Sequence, residues 1–166
     1  MQTAPAPPIL APYVPTPPDV VARMLKLAGV TKRDLVYDLG CGDGRIVIAA
    51  AATYGARGVG LDINPQRIKE AEENAKKAGV QTLVTFKLQN VLTADVSRAT
   101  VVTLYLLSSS NAKLRPMLTK QLKPGARIVS HAFDMGDWEP ARIERFNDDM
   151  GIARTLFLWK ADGVVR

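Results

Sequence analysis

Two carboxylates and three glycines carry the chemistry that the first half of this chain suggests. Asp38 closes a short apolar run in "VYDLGCGDGR" and is followed by Gly40, Gly42 and Gly44 at every second position. Glycine permits unusual dihedrals and removes side chains from between backbone and ligand, so something approaches this main chain closely. Asp62 ends the next apolar run, "RGVGLDI", where a carboxylate can accept both hydroxyls of a ribose. A dinucleotide loop needs a small residue at the sixth position of its glycine pattern; counted from Gly40, that position is Arg45. A nucleotide-hydrolase loop needs Gly-Lys-Ser/Thr, which is absent. Asp38 directly before the glycines would repel a pyrophosphate and suits a ligand carrying positive charge.

A cationic amino-acid end near Asp38 and a ribose at Asp62 together describe S-adenosylmethionine. The competing readings are a tight, ligand-free strand-to-helix turn for the glycines and a helix-start charge beside Asn64 for Asp62.

These residues need elements to position them. Residues 1–18 contain seven prolines and are expected to form an extended arm, with 19–166 as one domain. In "TPPDVVARMLKLAGV" Thr16 is a candidate N-cap and Asp19 a helix-start charge; an apolar stripe then runs to Leu27, and Gly29 ends it. Short apolar runs then alternate with helical patterns. "LVYDLG", "RGVGLDI", "LVTFKL", "TVVTLYLL" and "ARIVSHAF" read as strands, and "ARIERF" and "ARTLFLWK" as two closing strands. Asn64 caps a helix that Pro65 opens and Gly79 stops, while Pro116 predicts a kink or late start in "SSNAKLRPMLTKQL". The alternation predicts an α/β, three-layer, doubly wound sheet of seven strands, mostly parallel with one antiparallel. Its ligand should lie outside the strands' carboxyl ends at the switch point.

Composition narrows the partners. The chain has 166 residues, 47% of them hydrophobic and 23% charged, a net charge of +6 and one cysteine, Cys41. No apolar stretch approaches the roughly 20 residues that cross a bilayer. The opening segment lacks the basic and apolar regions of a signal peptide, so a cytoplasmic location is expected. The basic residues are scattered and interleaved with glutamates, as in "RIKEAEENAKK", which reads as a solvated helix face and disfavours a nucleic-acid partner. One cysteine and one histidine cannot build a four-ligand zinc site, so no metal is expected. A monomer is favoured.

The pattern D-x-G-x-G-x-G followed by an acid at the end of the second strand resembles the seven-stranded, class I S-adenosylmethionine-dependent methyltransferases. "PYVPTP", "VYDLGCGDGRIVI", "TVVTLYLL" and "LKPGARIVSHAFDMGDWEP" resemble a small branch: the archaeal broad-specificity protein-lysine methyltransferases and mitochondrial relatives acting on the ATP synthase c subunit and the adenine nucleotide translocator. The likeness spans roughly residues 12–160. It implies methyl transfer to an accessible lysine of a protein substrate, leaving S-adenosyl-L-homocysteine. A small-molecule N- or O-methyltransferase and a cofactor-binding module without catalysis are the alternatives.

The resemblance also implies residue roles. Asp38, Gly40, Cys41 and Gly42 would line the methionine end, Asp62 and Ile63 the ribose. Asn90, where the superfamily often has aspartate, would meet the adenine edge and Val91 its ring. Tyr13 and Thr16 would close over the methionine end, against a packing aromatic and a helix cap as alternatives. Tyr105 would orient the acceptor amine, and His131, the only histidine, could accept a proton, against core or structural roles for both. Asp134, Asp137 and Trp138 would attract a cationic lysine, against a capped loop. The Asn/Asp-Pro-Pro-Tyr tetrad of target-adenine and target-glutamine methyltransferases is absent.

Overall fold

The computed structural model describes residues 9–166, so the first part of the expected arm lies outside the described residues. Seven strands form one sheet: β1 (Leu35–Leu39), β2 (Arg57–Asp62), β3 (Val84–Leu88), β4 (Val101–Leu104), β5 (Arg127–His131), β6 (Arg142–Asn147) and β7 (Ala153–Lys160), in the order β3-β2-β1-β4-β5-β7-β6. β1 pairs in parallel with both β2 and β4, and β7 is antiparallel to its two neighbours. Strand order reverses at β1, where a doubly wound sheet opens a crevice at its carboxyl ends.

Among the described residues four helices flank the sheet: α1 (Pro18–Leu27), α2 (Arg45–Tyr54), α3 (Pro65–Lys77) and α4 (Ser108–Gln121). One core cluster joins Val20, Met24 and Leu25 of α1, Val47 and Ala50 of α2 and Ala75 of α3 to one face of the sheet. On the other face Leu114 and Leu118 of α4 pack with Leu39, Leu104, Ile128 and Trp159. β1 and β4 are buried over almost their whole length, as parallel strands covered on both faces must be.

Three local expectations need correction. Pro17 occupies the N-cap of α1 and Thr16 makes no cap bond; its side chain turns inward instead, and Thr16 is 3% exposed. α4 runs from Ser108 without interruption through Pro116. β4 stops at Leu104, so Tyr105 lies just beyond the strand rather than within it. Asn64 does cap α3, its side chain accepting from Gln66 N–H at 2.9 Å. Register then fixes the chemistry: Asp38 lies opposite Gly60 on one side and Thr103 on the other.

Candidate active site

A cavity of about 610 Å³ opens at the carboxyl ends of β1, β2 and β4, within the usual size range for small-ligand sites. Asp38, Gly40, Cys41 and Gly42 line it from the end of β1 and the loop that follows. Asp62 and Ile63 reach it from β2, Asn90 and Val91 from beyond β3, and Tyr105 from beyond β4. Tyr13 and Thr16 cover it from the arm.

Asp38 is the most perturbed acid of the cavity. It is 3% exposed, and the Thr103 hydroxyl, its register partner, donates to Oδ1 at 2.9 Å. Among the described residues no lysine or arginine pairs with it. Burial pushes its carboxyl up to about 7; the Thr103 hydrogen bond pulls down, and the charges of Asp62 and Asp43 add to the rise. Burial, with Asp38 next, pushes the Cys41 thiol up, which disfavours a thiolate there.

Asp62 braces the glycine loop. Its Oδ2 accepts from Gly42 N–H and its Oδ1 from Asn64 N–H, both at 2.9 Å, while Gly40 and Cys41 N–H groups donate to Leu61 C=O at 2.8 Å. The glycines answer largely to protein neighbours. A Cβ on Gly42 would stand 2.5 Å from the Tyr13 ring, and one on Gly44 2.7 Å from Phe86. Asn90 accepts from Leu92 N–H at 3.0 Å, opening a 3-10 turn at Val91–Thr93. Its side-chain oxygen holds that turn and keeps one lone pair, and its NH2 keeps two donors.

The arm is held by groups that sequence reasoning missed. Arg67 stacks its guanidinium 3.6 Å from the Tyr13 ring centroid, and Arg45 donates to Thr16 C=O at 3.0 Å while paired with Asp43 at 2.7 Å. Burial raises Asp43, but the hydrogen bonds and charge of Arg45 outweigh it and hold the carboxyl below its ordinary value. An acid and an arginine two residues apart in a glycine loop was the available signal; the reach of Arg67 across to Tyr13 left none.

His131 stands behind Tyr105, not on the cavity wall. It is 1% exposed, and its ring stacks on Tyr105 with centroids 3.9 Å apart. Arg154, a donor only, faces Nε2 at 3.5 Å, which leaves Nδ1 to carry the proton and donate to Thr16 Oγ1 at 3.2 Å. Burial, then the Arg154 charge, pushes its pKa down to about 4. Asp134, Asp137 and Trp138 are not brought to the cavity. The Asp134 carboxylate accepts from Gly136 N–H, Asp137 pairs with Arg115, and Trp138 packs against Trp159 with its carbonyl accepting from Trp159 Nε1.

Residues 38–142 match the family described as the ANTKMT methyltransferase domain. A protein-lysine N-methyltransferase of Saccharolobus islandicus is 46% identical over 149 residues, 89% of this chain and 92% of the relative. A lysine N-methyltransferase of the ATP synthase c subunit, from Xenopus laevis, is 31% identical over 80% of this chain, which spans only 58% of that relative. The crystal structure of an RNA methyltransferase from Salinibacter ruber, in complex with S-adenosyl-L-homocysteine, superposes with a TM-score of 0.86 at 54% identity, covering 92% of this chain and 97% of that one.

Asp38 yields a stability prediction independent of any ligand. Because its folded pKa lies above that of the unfolded chain, its stabilising contribution is complete below about pH 4 and lost as pH rises through about 7. Asp38→Asn should therefore raise the ligand-free Tm at pH 8 by about 2–4 °C or more, the equivalent of roughly 1 kcal/mol. Differential scanning calorimetry at pH 3.5 and pH 8 should show the gain at the higher pH and little or none at the lower, with pH 5 in between.

Proposed function

The chain belongs to the ANTKMT methyltransferase domain family, and from that premise we propose that it transfers a methyl group from S-adenosylmethionine to the side-chain amine of lysine in protein substrates. The observation that carries the reading is a buried, cation-free Asp38 beside a cavity of about 610 Å³. The donor set fits the cofactor. Asp38 supplies the negative partner that an α-ammonium needs, and each Asp62 oxygen keeps a further lone pair for a ribose hydroxyl beyond its bond to backbone N–H. The Asn90 NH2 would donate to the adenine edge, with buried Val91 against the ring. Tyr13 and Thr16 of the arm, which we take as residues 1–18 ahead of a single domain at 19–166, would close the methionine end.

Bound there, S-adenosylmethionine supplies a methyl group already activated on a sulfonium. The chain's residues have the remaining tasks of aligning the acceptor, excluding water and admitting the amine uncharged. A free lysine has a pKa near about 10.4, so at neutral pH only about one in 2,500 has its lone pair available. Desolvation beside Tyr105 lowers that pKa, and the proton can leave to water. His131 acts through Tyr105 in this scheme: with a pKa near 4 it is neutral but too weak a base to hold lysine's proton. A protein acceptor is supported by the names of the Saccharolobus and Xenopus relatives. Among the described residues no helix is long and apolar enough to cross a membrane, and a cytoplasmic location is part of the same proposal.

The Salinibacter relative's description as an RNA methyltransferase makes RNA the second reading. One experiment separates the two. Incubation with heavy-methyl S-adenosylmethionine and a cell extract holding both protein and RNA, followed by mass spectrometry, should place the heavy methyl on lysine side chains. Heavy methyl confined to RNA or to a small metabolite would overturn the proposal. Asp62→Ala removes the ribose acceptors and unties Gly42, and should weaken cofactor binding at least about tenfold by calorimetry, equal to about 1.4 kcal/mol. Unchanged affinity would show that the ribose lies elsewhere.

A further inference from the structure

Tyr105 lines the cofactor cavity from beyond β4. Tyr105 lies in a row of aromatic rings, stacked with His131 at 3.9 Å and with Phe133 at 6.5 Å, each inclined by 26°. His131 is buried, whereas Phe133 is half-buried. Neither Tyr105 nor Phe133 belongs to the two hydrophobic core clusters.

The backbone that presents Phe133 is held at a cost. Ala132 has a φ of 73°, the one non-glycine residue among those described in the left-handed region, where a Cβ is strained. Asn111 of α4, fully buried, donates through Nδ2 to Ser130 Oγ at 3.3 Å, Phe133 C=O at 3.2 Å and Asp134 C=O at 3.0 Å, and the Ser130 hydroxyl donates to Phe133 C=O at 2.6 Å. Ala132 N–H donates to Thr155 C=O at 2.8 Å. Meanwhile Asn111 Oδ1 is buried without a partner. A left-handed alanine and the hydrogen bonds of Asn111 Nδ2 and the Ser130 hydroxyl to Phe133 C=O thus set the backbone of one half-buried ring that lies outside both core clusters. Strain of this kind concentrates at functional sites.

We infer that Phe133 is a substrate-positioning residue, forming with Tyr105 the aromatic wall along which the acceptor lysine reaches the cofactor. The inference rests on the reading of the chain as a lysine methyltransferase. An aromatic face suits this side chain twice over, since it packs the four-carbon stem and attracts the ammonium before the proton is lost. The wall adds no opposing charge: His131 is neutral at pH 7, and the Arg154 guanidinium behind it is paired with Asp148 at 2.9 Å.

The test uses the lysine-centred peptide turned over fastest from a random library, with wild type, Phe133→Ala and Phe133→Leu. Cofactor affinity measured by calorimetry should stay within about twofold in both variants, which also shows that they are folded. KM for the peptide should rise about 5- to 30-fold in Phe133→Ala and less in Phe133→Leu, which keeps the packing but not the aromatic face. Peptide kinetics indistinguishable from wild type in Phe133→Ala, or a matching loss of cofactor affinity, would overturn the inference and leave the lysine activity standing. A wild type that methylates no peptide lysine would overturn both.

Discussion

A carboxylate buried at the switch point of the sheet, with no cation beside it among the described residues, is the constraint around which the site is arranged. Asp38 ends the central strand, and its neighbours in register are Gly60, which has no side chain, and Thr103, which gives one hydrogen bond. Most buried acids are paired. Here the nearby charges are the acids Asp43 and Asp62, both of which raise its pKa further. A cationic ligand in the adjoining cavity would supply the positive charge that this carboxylate lacks.

The arm completes the enclosure with polar rather than purely apolar contacts. Tyr13 crosses the loop where Gly42 leaves room, under the guanidinium of Arg67. Thr16 is tied on one side to Arg45 through its carbonyl and on the other to His131 through its hydroxyl. His131 in turn stacks on Tyr105. The same short segment thus lines the cavity and bonds His131, the ring on which Tyr105 stacks, so placement of the arm and of Tyr105 is linked through His131.

Much of this was legible from local pattern. The alternation of apolar runs and helical stretches gave the seven-stranded doubly wound sheet, because periodicity and turn residues are written in adjacent positions. The placing of Asp38 and Asp62 at one cavity followed from strand ends in such a sheet, while Asn90 and Tyr105 came from the family resemblance. What stayed hidden depended on register and on contacts far apart in sequence. Thr103 becomes the partner of Asp38 only when β4 lies beside β1 in the observed register, and Arg67 meets Tyr13 from 54 residues away, read as 67 minus 13. Thr16 looked like a cap because Thr-Pro-Pro-Asp is a common helix opening; Pro17 took that place and freed the hydroxyl for His131. Residue type alone suggests a recognition patch at Asp137 and Trp138; their contacts with Arg115 and Trp159, distant in sequence, carry no such signal.

The central claim is that the cofactor's ammonium supplies the missing cation at Asp38, and proton release on binding tests it most directly. At pH 6.5 a group with a pKa of about 7 is mostly protonated, and pairing with a cation should expel that proton. Calorimetric titration with S-adenosyl-L-homocysteine in two buffers of different ionisation enthalpy should show release of more than about half a proton in wild type and none in Asp38→Asn. Binding without proton release in wild type would contradict the account.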